Sequence, residues 1–167
     1  LSGQHLAMVF EKPSLRTRVS FEVGMAELGG DALYIGKDEV GLGEREEPRD
    51  VARVLSRYVD GIMARTFSHQ SVLDLAKHAD VPVINGLSDN AHPCQALADA
   101  LTIVEHLGTL AGQRIVFIGD ANNVSRSLAR VCILGGAEFV LACPEAYAFE
   151  SADREELAPY WGTQIPQ

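Results

Sequence analysis

The chain has 167 residues, 47% of them hydrophobic and 22% charged, a length within single-domain range that can bury roughly two-thirds of its unfolded surface. Fourteen Lys and Arg against 23 Asp and Glu leave a net charge of −9, a field that repels nucleic acid outside a local basic patch. No apolar run is long enough to cross a bilayer, so no membrane role is expected.

Apolar runs of four to six residues alternate with segments of helical period. The chain opens LSGQHLAMVF, without Met and directly before a strand-like run, and is expected to begin partway into a longer protein. Strands are expected at 6–10, 32–35, 61–65, 81–85, 114–118 and 138–142, and helices at 16–28, 48–59, 71–79, 93–107 and 124–134. Gly29-Gly30 and Gly135-Gly136 stop two of the helices, and Pro48 and Pro93 suit the first turn of two others. Strand and helix in alternation predict an α/β fold, a parallel sheet flanked by helices. The Gly-containing loop LGTLAGQR suggests a boundary near residue 108. Residues 1–108 are then a four-stranded unit, 109–150 the start of a second, Rossmann-like α/β domain, and 151–167 a short helix or irregular tail. Cys94, Cys132 and Cys143 are an odd number at wide spacing, fitting neither a disulfide framework nor a zinc knuckle, and point to a reducing cytoplasm.

The stretch FEKPSLRTRVSFEVGM places Ser14, Arg16, Thr17 and Arg18 where a strand passes into a helix. Free backbone N–H groups and the helix dipole converge on an anion there, and the hydroxyls and the Arg16 fork add donors suited to phosphate oxygens. Arg18 cannot share the face of Arg16 and is placed to pair with Glu22, four residues on. The plainer alternative is an N-cap at Ser14 with solvated arginines. Two further groups are expected at the same carboxyl edge: Arg65, ending GIMAR, and His92, Cys94 and Gln95 in SDNAHPCQAL. These are donors without a carboxylate, an arrangement suited to a substrate that carries its own leaving group. Cys94 at a helix start is a conceivable nucleophile, but packing behind the helix is the plainer role.

These motifs resemble the aspartate/ornithine transcarbamylase family. Its phosphate signature, usually Ser-Thr-Arg-Thr-Arg, stands as Ser14-Leu15-Arg16-Thr17-Arg18; His-Pro-Cys-Gln is unchanged at His92 to Gln95, with the cysteine of the ornithine branch. Arg65 in MARTF and Asn123 in GDANNVSRSL match further family positions, and the resemblance runs from about residue 3 to 149. It implies carbamoyl transfer from carbamoyl phosphate to L-ornithine without metal or organic cofactor, in trimers with active sites between subunits. It further implies that Ser14, Leu15, Arg16, Thr17, Arg65, His92, Pro93, Cys94 and Gln95 bind carbamoyl phosphate. Of these, Arg65, His92, Gln95 and Thr17 act on the carbamoyl group, and Asn123 holds ornithine.

Leu15 replaces the usual Thr but keeps its backbone N–H. Gly41, in DEVGLGEREEP, stands where many members have Gln. The family's first helix, its Ser-Met-Gly loop and its His-Cys-Leu-Pro motif are not found, so the chain is expected to be an incomplete portion with weak turnover or none. Competing readings are a transcarbamylase for putrescine or an acylated ornithine, and a non-catalytic truncated relative that binds anions or a partner. A dehydrogenase is disfavoured because RIVFIGDANN lacks G-x-G-x-x-G.

Overall fold

A computed structural model describes residues 1–158. Two compact units divide at Asp89/Asn90. That is earlier than the boundary expected near residue 108, because helix α5 (Pro93–Leu107) packs on helix α6 (Asn123–Leu134) of the second unit.

The first unit holds four parallel strands, β1 (His5–Phe10), β2 (Asp31–Ile35), β3 (Gly61–Arg65) and β4 (Val83–Leu87), in the order β2-β1-β3-β4. Strand β1 is buried on both faces, as a central parallel strand must be. Its two faces sort by size. Ala7 and Val9, with Ile62 and Ala64 of β3, meet Val51 and Ala52 of α3 (Pro48–Leu55) and Val72 and Leu75 of α4 (His69–His78). Leu6, Met8, Phe10 and Met63 meet Phe21 and Met25 of α1 (Leu15–Glu27) on the other face. Each fully buried large side chain contributes about 1.5–3 kcal/mol, so a one-residue slip that exchanged the small and large faces is strongly disfavoured.

Local chemistry sets the element ends. Strand β4 begins two residues later than expected because Pro82 has no N–H to enter the ladder; its carbonyl still accepts from Ile62 at 2.9 Å. A register shift between Ala64 and Arg65 then pairs Arg65 with Leu87. Helix α3 stops at Leu55, short of 59, where i to i+3 bonds from Arg57 and Tyr58 tighten the chain into a turn. Helix α4 starts two residues early because Ser68 caps it, accepting from the Gln70 N–H at 3.2 Å. A four-residue helix, α2 (Lys37–Val40), was too short to show a period. Gly29 ends α1 at φ +82, and a Cβ on Gly30 would lie 2.9 Å from the Gln4 carbonyl oxygen, which explains the glycine pair.

In the second unit, β5 (Arg114–Ile118) and β6 (Glu138–Ala142) pair in parallel and pack Ile115, Phe117, Phe139 and Leu141 on Leu128, Ala129 and Cys132 of α6. The segment after 150 opens as a helix, α7 (Ser151–Leu157), held to α6 by Leu157 and by the Arg126–Asp153 pair at 2.5 Å; 159–167 lie outside the described residues. Among the described residues no helix is long and apolar enough to span a membrane.

Candidate functional site

Strand order places the first site. From β1 the chain turns into α1 and returns to β2 on one side, while β3 lies on the other side and feeds α4 across the opposite sheet face. The loops leaving the carboxyl ends of β1 and β3 therefore diverge, and the gap between them is where open α/β sheets take ligands. Phe10 pairs with Arg65 at this edge, and the Glu11 N–H donates to the Arg65 carbonyl at 2.9 Å, fixing the loop to β3.

Three expected residues meet there. Ser14 is the N-cap of α1, its hydroxyl oxygen 3.3 Å from the Thr17 N–H and 3.1 Å from the Thr17 hydroxyl. Arg65 Nη1 donates to Thr17 Oγ1 at 3.3 Å across 48 residues of sequence. Arg65 is 9% exposed and its Nε–H has no partner among the described residues. Burial, and then the positive charge of Arg16, hold its pKa below the ordinary arginine value. A buried guanidinium with an unsatisfied donor beside a second cation, at a helix N-terminus, is an arrangement chemically suited to an anion. The N-cap and anion-site readings of Ser14 are thus compatible.

The neighbouring residues divide as follows. Leu15 opens α1 with its side chain 77% exposed, leaving only its backbone to face inward chemistry. Arg18 donates to Glu22 at 2.9 Å and lies 4.1 Å over the Tyr34 ring, a structural role. Gly41 caps α2 at φ +58, a conformation that a Gln in its place would adopt only with strain, so this loop is built for glycine. Sequence reasoning missed the carboxylates at this edge. Glu11 accepts the Phe67 N–H at 2.9 Å, and Asp89 accepts the His69 N–H at 2.7 Å. They hold the turn after β3 and so support Arg65. Glu11 directly follows β1 and Asp89 comes two residues after β4, and this nearness to strand ends is the signal the sequence offers.

The second unit carries the remaining candidates. His92 is the N-cap residue of α5 and Pro93 its first helical residue, as the sequence predicts; the imidazole does not cap the helix. The His92 backbone N–H donates to Ser127 Oγ at 2.8 Å. Cys94 is half-buried, and burial pushes its thiol pKa up, which opposes the nucleophile reading and fits packing. Gln95 donates from its amide nitrogen to Asp99 at 2.8 Å, so a carboxylate does accompany this group. Asn123 opens α6 behind Asn122, whose side chain accepts from the N–H groups of Val124 and Ser125.

Residues 1–105 match the family model of the aspartate/ornithine carbamoyltransferase carbamoyl-P binding domain. The chain belongs to the aspartate/ornithine carbamoyltransferase family. It is 58% identical over 147 residues to the anabolic ornithine carbamoyltransferase of Pyrococcus furiosus, an alignment that covers 88% of this chain and 47% of that protein. The solved ornithine carbamoyltransferase from Pyrococcus furiosus superposes with a TM-score of 0.89 at 54% identity, covering 96% of this chain and 50% of that one. A solved N-acetyl-L-ornithine transcarbamylase matches with a TM-score of 0.83 at 34% identity, over 96% of this chain and 57% of that one. The chain thus spans about half the length of the family members it matches.

Proposed function

We propose that the whole protein to which this chain corresponds transfers the carbamoyl group of carbamoyl phosphate to the δ-amino group of L-ornithine, giving L-citrulline and phosphate. The Ser14–Thr17–Arg65 network at the β1/β3 edge carries the reading, because it presents a buried, under-satisfied cation and two hydroxyls to an anion. Ser14, the Leu15 amide, Arg16 and Thr17 take the phosphate. Arg65, His92 and Thr17 polarise the carbamoyl oxygen, and Gln95 orients the carbamoyl amine, turning from Asp99 to do so. Pro93 and Cys94 shape the head of α5, and Asn123 holds ornithine.

The neutral δ-amine attacks the carbonyl carbon, and the new C–N bond forms as charge gathers on the carbonyl oxygen. The C–O bond to phosphate then breaks, and the proton lost by nitrogen leaves with the phosphate. Each donor to the developing oxyanion contributes about 3–4 kcal/mol. This chemistry needs no metal or organic cofactor. Although α5 packs with the second compact unit, the family-model match over 1–105 supports reading 1–108 as the carbamoyl-phosphate-binding domain and 109–150 as the opening of the ornithine-binding domain, in a homotrimer of the cytoplasm serving arginine biosynthesis. The anabolic name of a 58% identical relative supports that last assignment.

The likeness to an N-acetyl-L-ornithine transcarbamylase keeps an acylated ornithine as the second reading. Ureido product measured with ornithine, N-acetylornithine and putrescine in parallel separates the two. Fastest turnover of ornithine is expected, and preference for either other amine contradicts the proposal.

A further inference from the structure

We propose that Ser127 is a positioning residue for His92, and that its hydroxyl ties the head of α5 to the first turn of α6. The inference takes its functional meaning from the roles proposed above for His92 and Asn123; the geometry stands without them.

Ser127 is 5% exposed, and its hydroxyl sits between two main-chain groups. It donates to the Asn123 carbonyl, one turn back in α6, at 2.9 Å. It accepts the His92 N–H, 35 residues away, at 2.8 Å. A hydroxyl has one proton. With that proton given to Asn123, only lone pairs remain toward α5, so Ser127 is polarised as an acceptor where a backbone donor arrives. A serine bonded back to the fourth preceding carbonyl is common in helices and by itself means nothing. The second bond, to a residue on another element, is what a purely helical role does not require.

His92 is the residue for which such an anchor matters. It precedes Pro93, which excludes the helical region for its backbone, and it sits at φ −132, ψ 67. Its N–H lies outside the α5 ladder, since only its carbonyl enters, accepting from the Ala96 N–H at 3.2 Å. The Ser127 bond secures this outlying N–H. With one side of the peptide restricted by Pro93 and the other held by Ser127, the backbone that carries the imidazole is fixed. Misplacement of about 1 Å in a reacting group can cost a hundredfold in rate, so a fixed backbone at this position has catalytic weight. The same hydroxyl touches the residue assigned to ornithine, so movement of the α6 first turn would be felt at the head of α5.

The test compares wild type, Ser127→Ala and Ser127→Thr, the last keeping the hydroxyl. Amide hydrogen exchange at His92 is read by NMR, and affinities for carbamoyl phosphate and for inorganic phosphate by calorimetry. In S127A the His92 amide is expected to exchange roughly tenfold faster, and carbamoyl phosphate to bind roughly tenfold more weakly. Inorganic phosphate, which has no carbamoyl oxygen for His92, stays within about twofold of wild type. S127T restores both values. A general loosening of the fold would instead weaken both ligands together, and that result overturns the proposal. So does a His92 amide that is unprotected in wild type or equally protected in S127A. A wild type that binds phosphate but not carbamoyl phosphate overturns the functional reading and the ligand arm of the proposal, while the exchange arm still decides the anchor.

Discussion

Replacing Arg65 by Met removes the buried charge while keeping an unbranched chain of similar reach. In the ligand-free protein Arg65 makes a 3.3 Å bond to Thr17, carries an Nε–H unpartnered among the described residues and lies in the field of Arg16. Exchanging an uncompensated buried ion for an apolar side chain is typically neutral or stabilising, so unliganded Arg65→Met is expected within about 1 kcal/mol of wild type or above it. Ligand binding behaves in the opposite way. Losing one partner of a buried, hydrogen-bonded charge pair costs about 2–5 kcal/mol, or roughly 30- to 5000-fold in Kd. At carbamoyl phosphate one hundred times the wild-type Kd, wild type gains about 2.7 kcal/mol of stability and the variant at most about 0.9 kcal/mol. Denaturant titration with and without ligand reads both quantities. Equal ligand-induced stabilisation in the two proteins, or collapse of the unliganded variant, would refute the reasoning.

Further expectations follow from single residues. Ser14→Ala loses the α1 cap and should cost about 1 kcal/mol in urea unfolding, together with weaker phosphate binding. Leu15→Thr, at an exposed side chain whose backbone N–H is unchanged, should leave the phosphate Kd within about threefold. Cys132 is fully buried, and burial followed by the charge of Asp99 pushes its thiol to about 11 from 9.0, so native protein should resist alkylation there at pH 8. A raised folded pKa contributes stability below pH 9 that is lost as pH rises through about 11, and Cys132→Ala should flatten that decline.

What could be read in advance depended on how local its cause was. All six strands showed because each is a short apolar run, and the Arg18–Glu22 pair and the Ser14 cap showed because both act within one helical turn. The shift of β4 was hidden, since it depends on Pro82 facing Ile62 and on an irregularity at Arg65 that only the paired strand defines. The Gln95–Asp99 bond obeys i,i+4 spacing and is legible in the sequence, although Gln95 considered only as a donor hides it. Convergence of Arg65 on Thr17 was inferable from strand-end logic, whereas the Ser127–His92 bond joins two helix starts whose packing no local pattern encodes. The unit division has the same origin: the loop after residue 108 reads as a linker, but α5 packs with α6.

The central claim is that the β1/β3 edge is a carbamoyl phosphate site. Calorimetric titration of the chain with carbamoyl phosphate, at low and moderate salt, tests it most directly. Saturable one-to-one binding that weakens with salt and is lost in Arg65→Met is the predicted result; absence of saturable heat, or binding indifferent to Arg65, would contradict it.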